Sequence, residues 1–254
     1  ENIALVKESA SYKVMEDGSD LNAQVAHLFE LEAMLKNFYF DKNVDSYKVF
    51  AKECETLTAA AYAEYNARIA TYYNAPFGEY ELSVVKLLDF EPDEKGTFTE
   101  LGMKTGPNMV YEYRQDGLGV LGSNGYYFEK TPERSNDPFA TMSGLSAGTQ
   151  VGFVFEFDYY HVPGAVLELS RGTCSINGTN SSTTQYGTFS GGNYQIGHSN
   201  FQSQGNNAQL NGGKTSVPSG MVDNAWNRIA IALERESGTF SVYCNYKYLA
   251  CFKW

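Results

Sequence analysis

Apolar and polar residues alternate from Trp226 to Leu249, through WNRIAIALERESGTFSVYCNYKYL, and this period of two predicts a pair of antiparallel strands. Ile229, Ile231 and Leu233 fall on one face of the first strand, and Phe240, Val242 and Cys244 on one face of the second. A two-residue turn at Ser237-Gly238 would set Leu233 opposite Val242 and Ile231 opposite Cys244 on a shared buried face. Val151 to Tyr159 repeats the pattern, with Phe153, Phe155, Phe157 and Tyr159 on one side and Gly152, Val154, Glu156 and Asp158 on the other.

The start of the chain follows a different period. Leu21, Val25, Leu28, Glu32, Leu35 and Phe38 recur at steps of three and four, with Ser19 or Asp20 placed to cap a helix. Tyr47, Phe50, Cys54, Leu57, Ala61, Tyr65, Arg68 and Tyr72 do the same behind Asp45, until Asn74, Pro76 and Gly78 end the run. Two helices joined over residues 41–44 form a hairpin whose apolar stripes need a further surface, either the β region or a neighbouring domain. Cys54 falls at a core position of the second helix and reads as a small buried hydrophobe.

Beyond Tyr80 the steps of two return in Leu82, Val84, Val85, Leu87, Leu88 and Phe90, followed by closely spaced turn signals such as Thr105-Gly106-Pro107, Gln115-Asp116-Gly117 and Ser123-Asn124-Gly125. Many short strands indicate a sandwich or jelly roll rather than an α/β fold. Gly172 to Gly220 is rich in Gly, Ser, Thr, Asn and Gln, with Lys214 its sole charged residue. Tyr186, Phe189, Tyr194, His198 and Phe201 punctuate it, which predicts exposed strands and turns rather than disorder.

Length and charge narrow the function. The 254 residues suffice for a substantial core, and the net charge of −11 leaves no basic stripe to neutralise phosphates. Nucleic acid and anionic membranes are disfavoured as partners, and no apolar run is long enough to insert into a bilayer. Glu1 reads as the start of a mature or excised fragment, so the chain is expected to belong to a larger protein or assembly. Cys54, Cys174, Cys244 and Cys251 lack the spacing of a zinc site or a redox dithiol; a Cys244–Cys251 disulfide depends on where the last turn is centred. Asn177 and Asn180 head two glycosylation sequons, which matter only in a eukaryotic secreted protein.

The Leu87-Leu88-Asp89-Phe90-Glu91 strand and the Trp226-led hairpin with its Val242-Tyr243-Cys244-Asn245-Tyr246-Lys247 turn resemble laminin-G-like domains. Tyr246 stands where that family has Gly. The resemblance implies a mainly β fold, an antiparallel jelly-roll sandwich of the concanavalin A type over 82–254, preceded by an N-terminal segment 1–18 and an α-helical hairpin 19–76. It implies a secreted or cell-surface setting, and calcium as the one cofactor to consider, with Asp223 and Asn224 as thin ligands against the six to eight oxygens Ca²⁺ takes.

Candidate chemistry is incomplete. Glu156-Phe157-Asp158 resembles part of the Glu-x-Asp-x-x-Glu strand of laminarinase-type glycosidases of this fold, but Tyr160 or His161 occupies the place of the second glutamate. Gln195-Ile196-Gly197-His198 resembles the Gln-x-His strand of jelly-roll alginate lyases at the wrong spacing. No phosphate loop, nucleophile elbow or zinc-protease motif is present. The expectation is therefore a non-catalytic recognition module that binds glycan or another extracellular protein. Its binding candidates are Glu156, Asp158, Tyr186, Tyr194, His198 and Phe201, since amide and hydroxyl groups beside aromatic rings suit sugars. A polysaccharide glycosidase or lyase and a purely structural segment are the alternatives.

Overall fold

A computed structural model describes residues 1–74, 104–105, 110–114, 117, 119–129, 140–141, 152–171, 174–176, 179–181, 184–195, 216–234 and 239–253. Two compact units emerge, Glu1–Tyr80 together with Thr149–Trp254, and Glu81–Gly148. The division runs through the expected 82–254 domain and joins the helices to its second half. The strand expected over 81–90 lies outside the described residues.

The first unit begins with four helices, α1 Asn2–Glu8, α2 Ala10–Asp17, α3 Leu21–Asn37 and α4 Asp45–Asn74. The segment 1–18 is thus two short helices. Ser9 stops the first and caps the second, its Oγ accepting from Tyr12 N at 3.2 Å, and Gly18 closes α2 at φ +63. Asp20 caps α3 by accepting from the backbone of Asn22 and Ala23. Val6, Tyr12, Met15, Leu28, Leu31, Phe50, Cys54 and Ala61 form one buried cluster, so α1 and α2 cover the stripes that α3 and α4 present.

The Glu81–Gly148 unit contains the short strands β1 Lys104–Thr105, β2 Val110–Arg114, β3 Gly125–Glu129 and β4 Ala140–Thr141, paired β1 with β4 and β2 with β3. The first unit resumes with β5 Gly152–His161, β6 Leu167–Arg171, β7 Cys174–Ile176, β8 Thr179–Ser181, β9 Thr184–Ser190 and β10 Asn193–Gln195. After these come β11 Ser216–Pro218, β12 Ala225–Glu234, β13 Thr239–Cys244 and β14 Lys247–Lys253. Two antiparallel four-stranded sheets result, ordered β11-β10-β9-β6 and β14-β13-β12-β5, beside a β7–β8 pair. Leu169, Phe189 and Tyr194 of one sheet share a core with Ile229, Ile231, Val242, Cys244 and Ala250 of the other. Each such fully buried aliphatic chain contributes about 1.5–3 kcal/mol.

Alternation placed these residues on the correct face but in the wrong register. Ile231 lies opposite Val242 and Ile229 opposite Cys244, two residues from the expected pairing, and four residues separate the last pair, Glu234 and Thr239. An even shift keeps every side chain on its face, so a burial pattern cannot detect it. Phe155 departs from the pattern of β5, remaining 38 % exposed while Phe153, Phe157 and Tyr159 pack on the core. The turn after β13 is centred on Asn245 and Tyr246, both left-handed at φ +49 and +62, which pairs Cys244 with Lys247 and Cys251 with Ser241. Cys244 is a free buried thiol, so the Cys244–Cys251 disulfide does not form.

Helices and sheets meet through buried polar groups. Arg68 of α4 donates to Asn245 O at 3.0 Å and to Asn22 Oδ1 at 2.9 Å, and Asn22 Nδ2 donates to Gly220 O. Asn245 Nδ2 in turn reaches Asn227 Oδ1 at 2.9 Å, while its Oδ1 accepts from Arg228 N at 3.0 Å. Fully buried Asn227 uses its whole carboxamide: Oδ1 also accepts from Val222 N, and Nδ2 donates to Val222 O and Ala225 O. Beside this network the Tyr246 ring meets Tyr65 of α4 edge-on, centroids 5.3 Å apart.

Candidate functional site

On the face of β5 and β12 turned away from the shared core, Ala230, Ala232 and Val154 belong to a small buried cluster with Tyr243, and a group of charged and aromatic side chains adjoins it. Register pairs Asp158 with Arg228, Tyr160 with Trp226 and Glu156 with Ala230. Glu156 and Asp158 do share a face, as the alternation requires, yet they are not a free carboxylate pair. Arg228 donates from Nε to Asp158 Oδ1 and from Nη2 to Asp158 Oδ2, both at 2.8 Å, and Nη1 lies 3.9 Å from Glu156 Oε2. A two-pronged fit of this kind fixes both side chains in the plane of the fork.

Burial works against the charge on Arg228, but Asp158 above all, with Tyr246 and Glu156, outweighs it and holds the guanidinium above its ordinary pKa. The group is cationic at every accessible pH. Burial likewise pushes the Tyr246 phenol up to about 12, so it faces this cluster as a neutral hydroxyl.

Next along the strands, Tyr160 keeps 43 % of its surface exposed and meets Trp226 edge-to-face at 5.6 Å. An aromatic pair thus adjoins a fixed set of hydrogen-bonding groups. Neither Arg228 nor the Tyr160–Trp226 pair stood among the sequence candidates. The Trp226-Asn227-Arg228 spacing already placed Trp226 and Arg228 on one face, and only the β5–β12 pairing could add their partners.

The remaining candidates scatter. Tyr194 is a correction: it is fully buried in the core against Phe189, its ring seated on Gly187, where any side chain would collide with it at 2.5 Å. A three-residue strand is too short to reveal which face is inward, and the polar residues around Tyr194 suggested the outer one. Tyr186 lies on β9, and His198 and Phe201 lie outside the described residues. Gln195 ends β10, so its relation to His198 is also outside them.

At the end of β5, buried His161 approaches Asp223 Oδ1 through Nε2 at 3.3 Å, and Asn224 is a left-handed turn residue at φ +54 that donates its N–H to His161 O. Asp223 and Asn224 therefore serve the turn into β12. Among the described residues no three His, Cys, Asp or Glu side chains converge as a metal site, and no helix is long and apolar enough to cross a membrane. A shallow recess between α1 and the start of α4 mixes polar and apolar groups, with Glu1, Asn2, Asp41 and Ser46 beside Ile3, Phe40, Val44 and Tyr47. No protein-family model matches the chain, nor does a curated protein or a solved structure.

Proposed function

We propose that this chain is a non-catalytic recognition module of a secreted or cell-surface protein. In this reading its facing sheets are a laminin-G-like jelly roll with a helical layer docked on it, and its ligand is a glycan or another extracellular protein. The observation that carries the proposal is the Asp158–Arg228 lock. Both oxygens of Asp158 are taken up by the guanidinium fork of Arg228, so the acidic strand presents a charge-paired, hydrogen-bonded surface rather than a free carboxylate pair. Beside it, Tyr160 and Trp226 offer a weakly apolar surface next to oriented donors and acceptors, the combination that saccharides and aromatic-rich protein contacts both use.

Incubation with a polysaccharide panel, read for new reducing ends and unsaturated uronates, tests the first half. No turnover is expected, and turnover abolished by Glu156→Gln would establish the glycosidase alternative instead. A glycan array and extracellular-protein binding by calorimetry test the second half, with loss of binding expected in Tyr160→Ala.

A further inference from the structure

The helical layer and the facing sheets each close a core of their own. The stripes of α3 and α4 are covered by α1 and α2, and every side chain packed on that cluster, buried or partly buried, lies between Ile3 and Tyr65. The sandwich core runs from Phe153 to Ala250 and contains no helical residue. Among the described residues the two clusters share no side chain.

The seam between them is held by polar groups. Arg68 Nη1 donates to Asn245 O at 3.0 Å, and Asn22 Nδ2 donates to Gly220 O. Both ties are also supported from their own side. Glu64 Oε1 accepts from Arg68 Nε at 2.7 Å and Asn22 Oδ1 from Arg68 Nη1 at 2.9 Å, while Gly220 O accepts from Asn245 Nδ2 at 3.3 Å. Two of the three bonds of Arg68 therefore stay within the helical layer, and opening the seam takes from it only the bond to Asn245 O, which water can replace. Tyr65 meets Tyr246 edge-on across the seam at 5.3 Å, but Phe29 of its own layer is closer, at 4.8 Å. A polar seam of this kind lets folded bodies move against one another, whereas a shared apolar core makes them unfold as one. The 74 residues to the end of α4 also exceed the about 55–65 at which many domains fold alone.

We infer that the helical layer is a folded body in its own right, latched to the sheets through Arg68, and that either body can open while the other stays intact. Docked, the two form one compact unit. Apart, they uncover Gly220, Asn245 and Tyr246 without opening either core.

Urea unfolding of the full chain tests this with two probes that lie in different bodies. The described α-helix is confined to α1–α4, so the helical far-UV ellipticity follows that layer, while the chain's two tryptophans, Trp226 in β12 and Trp254 just past β14, follow the sheets. Leu28→Ala removes a fully buried side chain from the helical core and Ile229→Ala one from the sandwich. Leu28→Ala should lower the ellipticity midpoint by about 1 M or more and the emission midpoint by less than about 0.3 M, and Ile229→Ala should do the reverse. Should Leu28→Ala leave the helices unfolded without urea, an emission transition still in place gives the same answer. Arg68→Met, which cuts the latch, should lower the earlier of the two transitions by at least about 0.3 M. Midpoints that fall together in either core variant would overturn the division into two bodies, since one cooperative unit cannot lose stability in part. Separate transitions, neither of them moved by Arg68→Met, would overturn Arg68 as the latch.

Discussion

Replacing Asn227 by Ala is expected to be among the most destabilising single changes in the sheet, although no apolar group is lost. The carboxamide accepts from Val222 N at 2.8 Å and from Asn245 Nδ2 at 2.9 Å, and donates to Val222 O and Ala225 O, each at 2.9 Å. At about 1 kcal/mol net per bond, four bonds amount to about 4 kcal/mol. A water admitted to the vacated space would recover one or two of them, giving an expected loss of about 2–4 kcal/mol.

Urea unfolding followed by tryptophan emission measures this. With a slope of about 2 kcal/mol/M, the midpoint should fall by about 1–2 M at unchanged slope. Asn227→Asp is the sharper control, because it retains shape and both acceptor roles but sets an oxygen against the Val222 and Ala225 carbonyls. It should lose about as much as Ala at neutral pH and regain part of the loss on acidification, as the carboxyl takes up a proton and can donate again. A midpoint shift below about 0.3 M for Asn227→Ala, or an Asp variant as stable as the parent, would refute the claim that this amide is a four-bond hub.

The left-handed Tyr246 costs about 1–2 kcal/mol in backbone conformation and recovers it through the Tyr65 contact, so Tyr246→Gly should be more stable than Tyr246→Ala by about 1 kcal/mol in the same urea assay. Burial lowers the pKa of His27, which lies 3.2 Å from Ser11 Oγ, below the ordinary 6.5. The unfolded chain therefore binds more protons below pH 6.5, stability should drop as pH falls from there and level off under the folded-state value, and His27→Gln should flatten that part of the thermal-melt profile. Burial also pushes the Cys54 thiol up to about 11 and the Cys244 thiol up to about 12, so iodoacetamide at pH 8 should leave both unlabelled until urea unfolds the protein, as read by mass spectrometry.

Faces were legible in the sequence where a period ran long enough to be counted. The ten-residue β5 and β12 and the long α4 were read with nearly correct limits. Register along β12–β13 was not legible, because a slide of two residues leaves the alternation untouched, and a bulge between Val242 and Tyr243 offsets β14 besides. The helices α1 and α2, of 7 and 8 residues, are too short to display a period, so residues 1–18 read only as an N-terminal segment. At the candidate site, Glu156 and Asp158 were found as a pair facing one way, but their meaning changed with Arg228. That residue lies 70 positions from Asp158 in sequence, and only sheet order brings it opposite.

The seam between helices and sheets also dictates when the molecule can be finished. Arg68 must wait for a carbonyl 177 residues downstream, so at about 5–20 residues per second a ribosome leaves the helices without their second surface for roughly 10–35 s. During that interval the amide and guanidinium of Asn22 and Arg68 stay wet, and the early part of the chain is the portion most open to chaperones and proteases before synthesis ends.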